Sequence, residues 1–92
     1  MFIHENLKGR VAVVTGGGGV LCSDFAKALA RQGAKVAVLD INEKAAQKVA
    51  DEIKAEGGEA AAFACNVLQK ESMQKVRDEI AEKYGTCDIL LN

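Results

Sequence analysis

Val-Ala-Val-Val-Thr-Gly-Gly-Gly-Gly-Val-Leu-Cys, residues Val11 to Cys22, runs an apolar segment into a threonine and four consecutive glycines. Ordering glycine costs more backbone entropy than ordering any other residue. Four of them between a β-rich run and a helical pattern therefore need a reason. Arg10–Val14 lacks polar alternation, as in a strand buried on both faces. A glycine turn that leaves such a strand and opens a helix exposes the helix's free N–H groups and its positive end, and a phosphate fits there. Without side chains, the turn lets a ligand approach the backbone.

The pattern alternates outward from that stretch. Cys22, Phe25, Ala26 and Leu29 mark one helical face, and Gly33 stands where that helix would stop. Lys35–Leu39 reads as a second strand. Ala46, Val49, Ala50 and Ile53 follow the spacing of an amphipathic helix. Asn42 suits its start, Glu43 and Lys54 match its dipole, and Gly57-Gly58 ends it. Glu59–Cys65 is an alanine-rich third strand. Met73, Val76, Ile80 and Tyr84 line a third helix ended by Gly85, and Asp88–Leu91 begins a fourth strand. This order predicts the α/β class, a doubly wound parallel sheet with helices on both faces. A flavodoxin-like strand order would alternate in the same way, so the order of the strands stays open.

Asp40 closes the second strand, at the end of a βαβ unit about 30 residues long, where a carboxylate can accept hydrogen bonds from ribose hydroxyls. It would repel a 2′-phosphate, and no arginine lies beside it in Leu-Asp-Ile-Asn. The expectation is therefore a dinucleotide site that prefers NAD to NADP. The competing reading is a tight turn that binds nothing, with Asp40 serving only the next helix.

Composition removes other classes. The 92 residues are 49% hydrophobic with a net charge of -1, which gives no electrostatic case for nucleic acid or a membrane surface. No apolar run is long enough for a transmembrane helix. The start, Met-Phe-Ile-His, lacks a signal core, and a cytoplasmic location is expected. Cys22, Cys65 and Cys87 form no Cys-x-x-Cys pair, so they read as reduced, buried thiols and not as zinc ligands or disulfides. His4 reads as a solvated tail residue, and no metal site is expected. Lys44, Lys48, Asp51 and Glu52 read as a solvated helix face.

The chain resembles the N-terminal part of the short-chain dehydrogenase/reductase family along nearly its whole length. Thr15-Gly16 matches the start of that family's Thr-Gly-x-x-x-Gly-x-Gly turn, and Val-Ala-Val-Leu-Asp resembles its NAD-selecting strand. Cys65-Asn66-Val67 resembles the Asp-Val pair that holds adenine. Asp88-Ile-Leu-Leu-Asn92 resembles the approach to its Asn-Asn-Ala-Gly motif. Val20 and Cys22 occupy the second and third glycine positions, and Asn66 replaces an aspartate.

The resemblance implies a Rossmann domain of which residues 1–92 are the N-terminal part, with the catalytic half beyond them. It implies cofactor contacts from Gly16, Gly18, Gly19, Val20, Leu21, Asp40, Ile41, Asn66, Val67 and Asn92. It also implies a homo-oligomer, a tetramer or dimer, acting on a secondary alcohol or ketone. Thr-Gly-Gly-Gly-Gly-Val-Leu is similar to a branch that interconverts mannonate and fructuronate. The family's catalytic serine and Tyr-x-x-x-Lys pair have no counterpart. Tyr84 is the one tyrosine, and Asp88 stands four residues after it; Ser23 and Ser72 lie in helical patterns without a base. A module that binds the dinucleotide without turnover is the alternative to an enzyme.

Overall fold

The computed structural model describes residues 7–16, 20–66, 68–85 and 87–91. In chain order they form β1 (Val11–Thr15), α1 (Val20–Arg31), β2 (Lys35–Asp40), α2 (Glu43–Ala55), β3 (Glu59–Ala64), α3 (Lys70–Tyr84) and β4 (Ile89–Leu91). The observed β2, β3 and β4 differ from the predicted strands by one residue at one end and β1 is shifted by one residue at both, because pairing, not apolar character, sets where a strand stops. Asp40, for instance, pairs with Ala64 and so belongs to β2.

All pairings are parallel and the strand order is β3-β2-β1-β4. β1 therefore lies between β2 and β4, the dinucleotide-binding order, which removes the flavodoxin-like alternative. The chain steps from β1 to β2 to β3 in one direction, then returns across β1 to reach β4. Crossovers of one hand place α1 and α2 on one face of the sheet and α3 on the other.

Side-chain alternation builds a core on each face. Ala12, Val14, Val36 and Val38 point toward α1 and α2, where Ala26, Ala46, Val49, Ala50 and Ile53 meet them. Val11, Val13, Ala37 and Leu39 point the other way, toward Val76 and Ile80 of α3, with Met73 and Tyr84 partly buried beside them. The four apolar positions predicted for α2 are its four buried residues. Gly58 shows how tightly that face is packed, since a Cβ there would lie 2.8 Å from Ile53 Cγ2.

Local chemistry sets the helix ends. Asn42 Oδ1 caps α2 by accepting from the N–H groups of Lys44 and Ala45 at 3.1 and 3.3 Å. The predicted stops Gly33, Gly57 and Gly85 all have positive φ.

Two expectations are corrected. Phe25 is 48% exposed, because the stripe of α1 that meets the sheet runs through Cys22, Ala26, Leu29 and Ala30, and position 25 falls on its flank. Cys87 is exposed, since it sits on the loop before β4 and not within the strand; Cys65 is buried and Cys22 partly so. Glu52, read as part of a solvated helix face, has a side chain 42% exposed, and it also accepts a 2.7 Å hydrogen bond from Lys27 Nζ across the α1–α2 contact. Among the described residues, no helix is long and apolar enough to cross a membrane.

Candidate functional site

The parallel sheet brings the C-terminal ends of β1, β2 and β3 to one edge of the molecule. Gly16 leaves β1 there with φ +65, a backbone shape that favours glycine. Among the described residues, an added Cβ there would find no atom within 4 Å. The backbone of Val20 and Leu21 opens α1 after the turn, which puts free N–H groups and positive helix-end charge at this edge. The partly buried Cys22 side chain packs against the core between α1 and the sheet.

Asp40 ends β2 on the adjoining strand. Its Oδ1 accepts from Asn42 N at 2.9 Å, so this carboxylate braces the turn while Asn42 itself caps α2. The competing reading of Asp40 as a structural residue is thus part of the picture. A carboxylate has about four lone-pair sites over its two oxygens, so a bracing role and a binding role are chemically compatible. Ile41, which follows, is 72% exposed.

The third strand end carries Asn66. Cys65 N donates to Asp40 O at 3.0 Å, tying this segment to the end of β2. Asn66 N donates to Ser72 Oγ at 3.1 Å, and Asn66 Oδ1 accepts from Leu68 N at 3.0 Å. Gly16, Asp40, Ile41 and Asn66 therefore stand along one edge, at successive strands. Gly18, Gly19, Val67 and Asn92 lie outside the described residues.

Sequence reasoning missed two contributors. Ser72, read as inert, holds Asn66 in place from the first turn of α3. Leu68 is 91% exposed beside Asn66, an apolar side chain for which the core has no use. Leu68 stands between Val67 and Gln69, a context that does not mark it as exposed. Nothing local marked Ser72. Asp88 lies at the opposite edge and is structural: its Oδ2 accepts from Val11 N at 2.9 Å, and Arg10 Nη1 lies 3.5 Å from Oδ1.

Tyr84 is half-buried on the α3 face, and burial, followed by the nearby Glu59 charge, raises its pKa above the ordinary value. A tyrosine acting as base needs the reverse shift. Among the described residues there is no cluster of histidine, cysteine, aspartate or glutamate able to hold a metal.

Comparison with known proteins agrees with this geometry. The short chain dehydrogenase family model matches residues 10–92. An uncharacterized oxidoreductase of Haemophilus influenzae is 49% identical over 89 residues, covering 97% of this chain and 31% of that protein. The structure of a proposed D-mannonate oxidoreductase from Haemophilus influenzae, with bound NAD, superposes with a TM-score of 0.91 at 50% identity, over 95% of this chain and 31% of that one. A 7α-hydroxysteroid dehydrogenase complexed with NADH and a 7-oxo bile acid gives 0.92 at 37% identity, over 100% and 37% of the two chains. A metagenomic short-chain oxidoreductase in complex with NADP gives 0.85 at 31% identity, over 90% and 38%. The chain spans about a third of the length of the relatives it matches. The family match and the strand order agree: the chain belongs to the short-chain dehydrogenase family.

Proposed function

We propose that this chain is the NAD(H)-binding portion of an oxidoreductase that transfers hydride between a nicotinamide cofactor and a secondary alcohol or ketone. The observation that carries the reading is the positive-φ Gly16 at the end of β1, where no described residue comes within 4 Å of an added Cβ, one strand from the Asp40 carboxylate. In this reading the backbone from Gly16 through Gly18, Gly19, Val20 and Leu21 donates to the diphosphate. Asp40 accepts from the ribose hydroxyls, Ile41, Asn66 and Val67 surround the adenine, and Asn92 approaches the cofactor from the end of β4. The cofactor supplies the hydride chemistry when bound.

The carboxylate of Asp40 supports NAD over NADP, because a 2′-phosphate would meet like charge. The NAD-bound neighbour at 50% identity supports a sugar acid of the mannonate or fructuronate kind as substrate. Family likeness supports assembly into a homo-oligomer. The serine and Tyr-x-x-x-Lys pair that the family uses for proton transfer are not among these 92 residues. In this reading these residues form the cofactor cradle.

Titration with NADH and NADPH tests the reading. NADH should bind more tightly, and Asp40→Ala should weaken it by about 1–3 kcal/mol, as for loss of a charge-assisted hydrogen bond. Binding of neither nucleotide overturns the site. Tighter NADPH binding overturns the role given to Asp40.

A further inference from the structure

We propose that the free edge of β3 is an interface on which a second copy of this chain pairs antiparallel, joining two sheets into one across a two-fold axis beside Phe63. The inference gives a surface to the homo-oligomer named above and does not depend on the nucleotide site.

β3 is an end strand, and among the described residues no strand lies beyond it. In a parallel ladder the N–H and C=O of one residue point to one side and those of the next residue to the other. Cys65 N donates to Asp40 O on β2 at 3.0 Å, so the backbone groups of Ala62 and Ala64 face outward. Ala62 is partly exposed and Ala64 exposed. Natural sheets guard such edges with lysine, proline or a bulge. Ala60–Ala64 has no charge and no proline, and it pairs with β2 one residue to one without a bulge. β4, the other end strand, spans three residues, and the Cys87 thiol already donates to its Ile89 carbonyl at 3.2 Å.

Both faces of the sheet fit a copy placed on β3. In the register centred on Phe63, Ala62 of each copy exchanges both backbone hydrogen bonds with Ala64 of the other. The two Phe63 side chains then stand directly opposite, at the type of position where cross-strand side chains come closest. Phe63 is only partly buried at the margin of the α3 core, and the facing ring covers what α3 leaves open. On the other face α2 packs over β2 and β3. With strands about 4.8 Å apart, a helix centred between those two lies about 10 Å from its symmetry mate, the spacing at which helices pack. Charge selects the same arrangement. Glu52 and Glu56 reach Lys27 and Arg31 of α1, so the opposite flank of α2, toward the β3 edge, carries the exposed Glu43, Gln47 and Lys54. Across the axis the two α2 helices run antiparallel, and the Glu43 end of each lies beside the Lys54 end of the other.

The test is sedimentation equilibrium of the full chain, with amide exchange followed at Ala62 and Ala64. A monomer–dimer equilibrium is expected, and exchange at those two amides should slow as the concentration rises. Lys54→Glu sets like charges against each other across the axis and should weaken the dimer about tenfold, and Glu43→Lys combined with Lys54→Glu should restore it. A chain that remains monomeric at millimolar concentration overturns the inference. So does a dimer that Lys54→Glu leaves unchanged, or one that the double substitution fails to restore. Titration with NADH is read separately: binding by a chain that stays monomeric overturns this inference alone, and a dimer that binds neither NADH nor NADPH overturns the proposed function alone.

Discussion

The two faces of the sheet are built from the same strands and differ sharply in how they are covered. On one, α1 and α2 lie side by side over Ala12, Val14, Val36 and Val38, and the resulting core is closed. On the other, among the described residues, α3 packs on Val11, Val13, Ala37 and Leu39 beside a groove lined by Val13, Leu39, Met73, Ile80 and Cys87. The closed face is also the one with local reinforcement. α2 has a side-chain cap at Asn42, whereas Gln69 at the start of α3 makes none. The ion pairs Lys27–Glu52 and Arg31–Glu56, at 2.7 and 3.2 Å, join α1 to α2. Two successive crossovers in one direction complete a face, while a single returning crossover cannot.

The same truncation on each face is the strongest way to break this comparison. Ile53 and Ile80 are 1% and 3% exposed. Ile53→Ala leaves a void that its close-packed neighbours cannot fill and should cost about 3–4 kcal/mol. Ile80→Ala borders the groove, where side chains can relax and water can enter, and should cost about 2 kcal/mol. Equal losses in urea denaturation would show that the α3 face is as tightly packed as the other.

A smaller contrast lies in the caps. Asn42→Ala should lower stability by about 1 kcal/mol, because two N–H groups of α2 lose their acceptor. Gln69→Ala removes no such bond and should leave the unfolding midpoint nearly unchanged. A comparable loss at both positions would contradict the difference in reinforcement.

The smallest effect concerns the Lys27–Glu52 pair. The hydrogen bond to Lys27 lowers the Glu52 pKa below the ordinary 4.5, and the same bond raises that of Lys27 above 10.5. The stabilisation is therefore complete between those values. It fades as the pH falls below about 4.5 and through the lowered Glu52 pKa, and again as it rises through the raised Lys27 pKa. Glu52→Gln should lower the unfolding midpoint slightly at neutral pH, and less at high salt, because the pair is largely solvated. A midpoint difference that persists unchanged at pH 3 would exclude the ion pair as its cause.

Much of this was legible along the chain because the signals were local. Ala46, Val49, Ala50 and Ile53 repeat at helical spacing, Asn42 precedes the first turn, and glycines stand at the stops, so α2 could be read to its caps. The glycine run and Asp40 located two strand ends before any pairing was known. Phe25 was misread because an apolar residue at the edge of a stripe counts the same as one at its centre until the sheet is in place.

Sequence by itself determined the alternation of strand and helix, the apolar side of α2 and α3, and the residues at the β1 and β2 ends, since each depends on neighbours a few positions apart. Tertiary structure alone decided that β1 lies between β2 and β4, that Glu52 turns to Lys27, that Asp88 clasps the start of β1, and that Ser72 and Leu68 orient Asn66. Strand order and the clasp join segments far apart in the chain, while the outcome at Asn66 turns on which of several competing local hydrogen bonds the packing of α3 permits. Those choices are made by three-dimensional contact, and no periodicity encodes them.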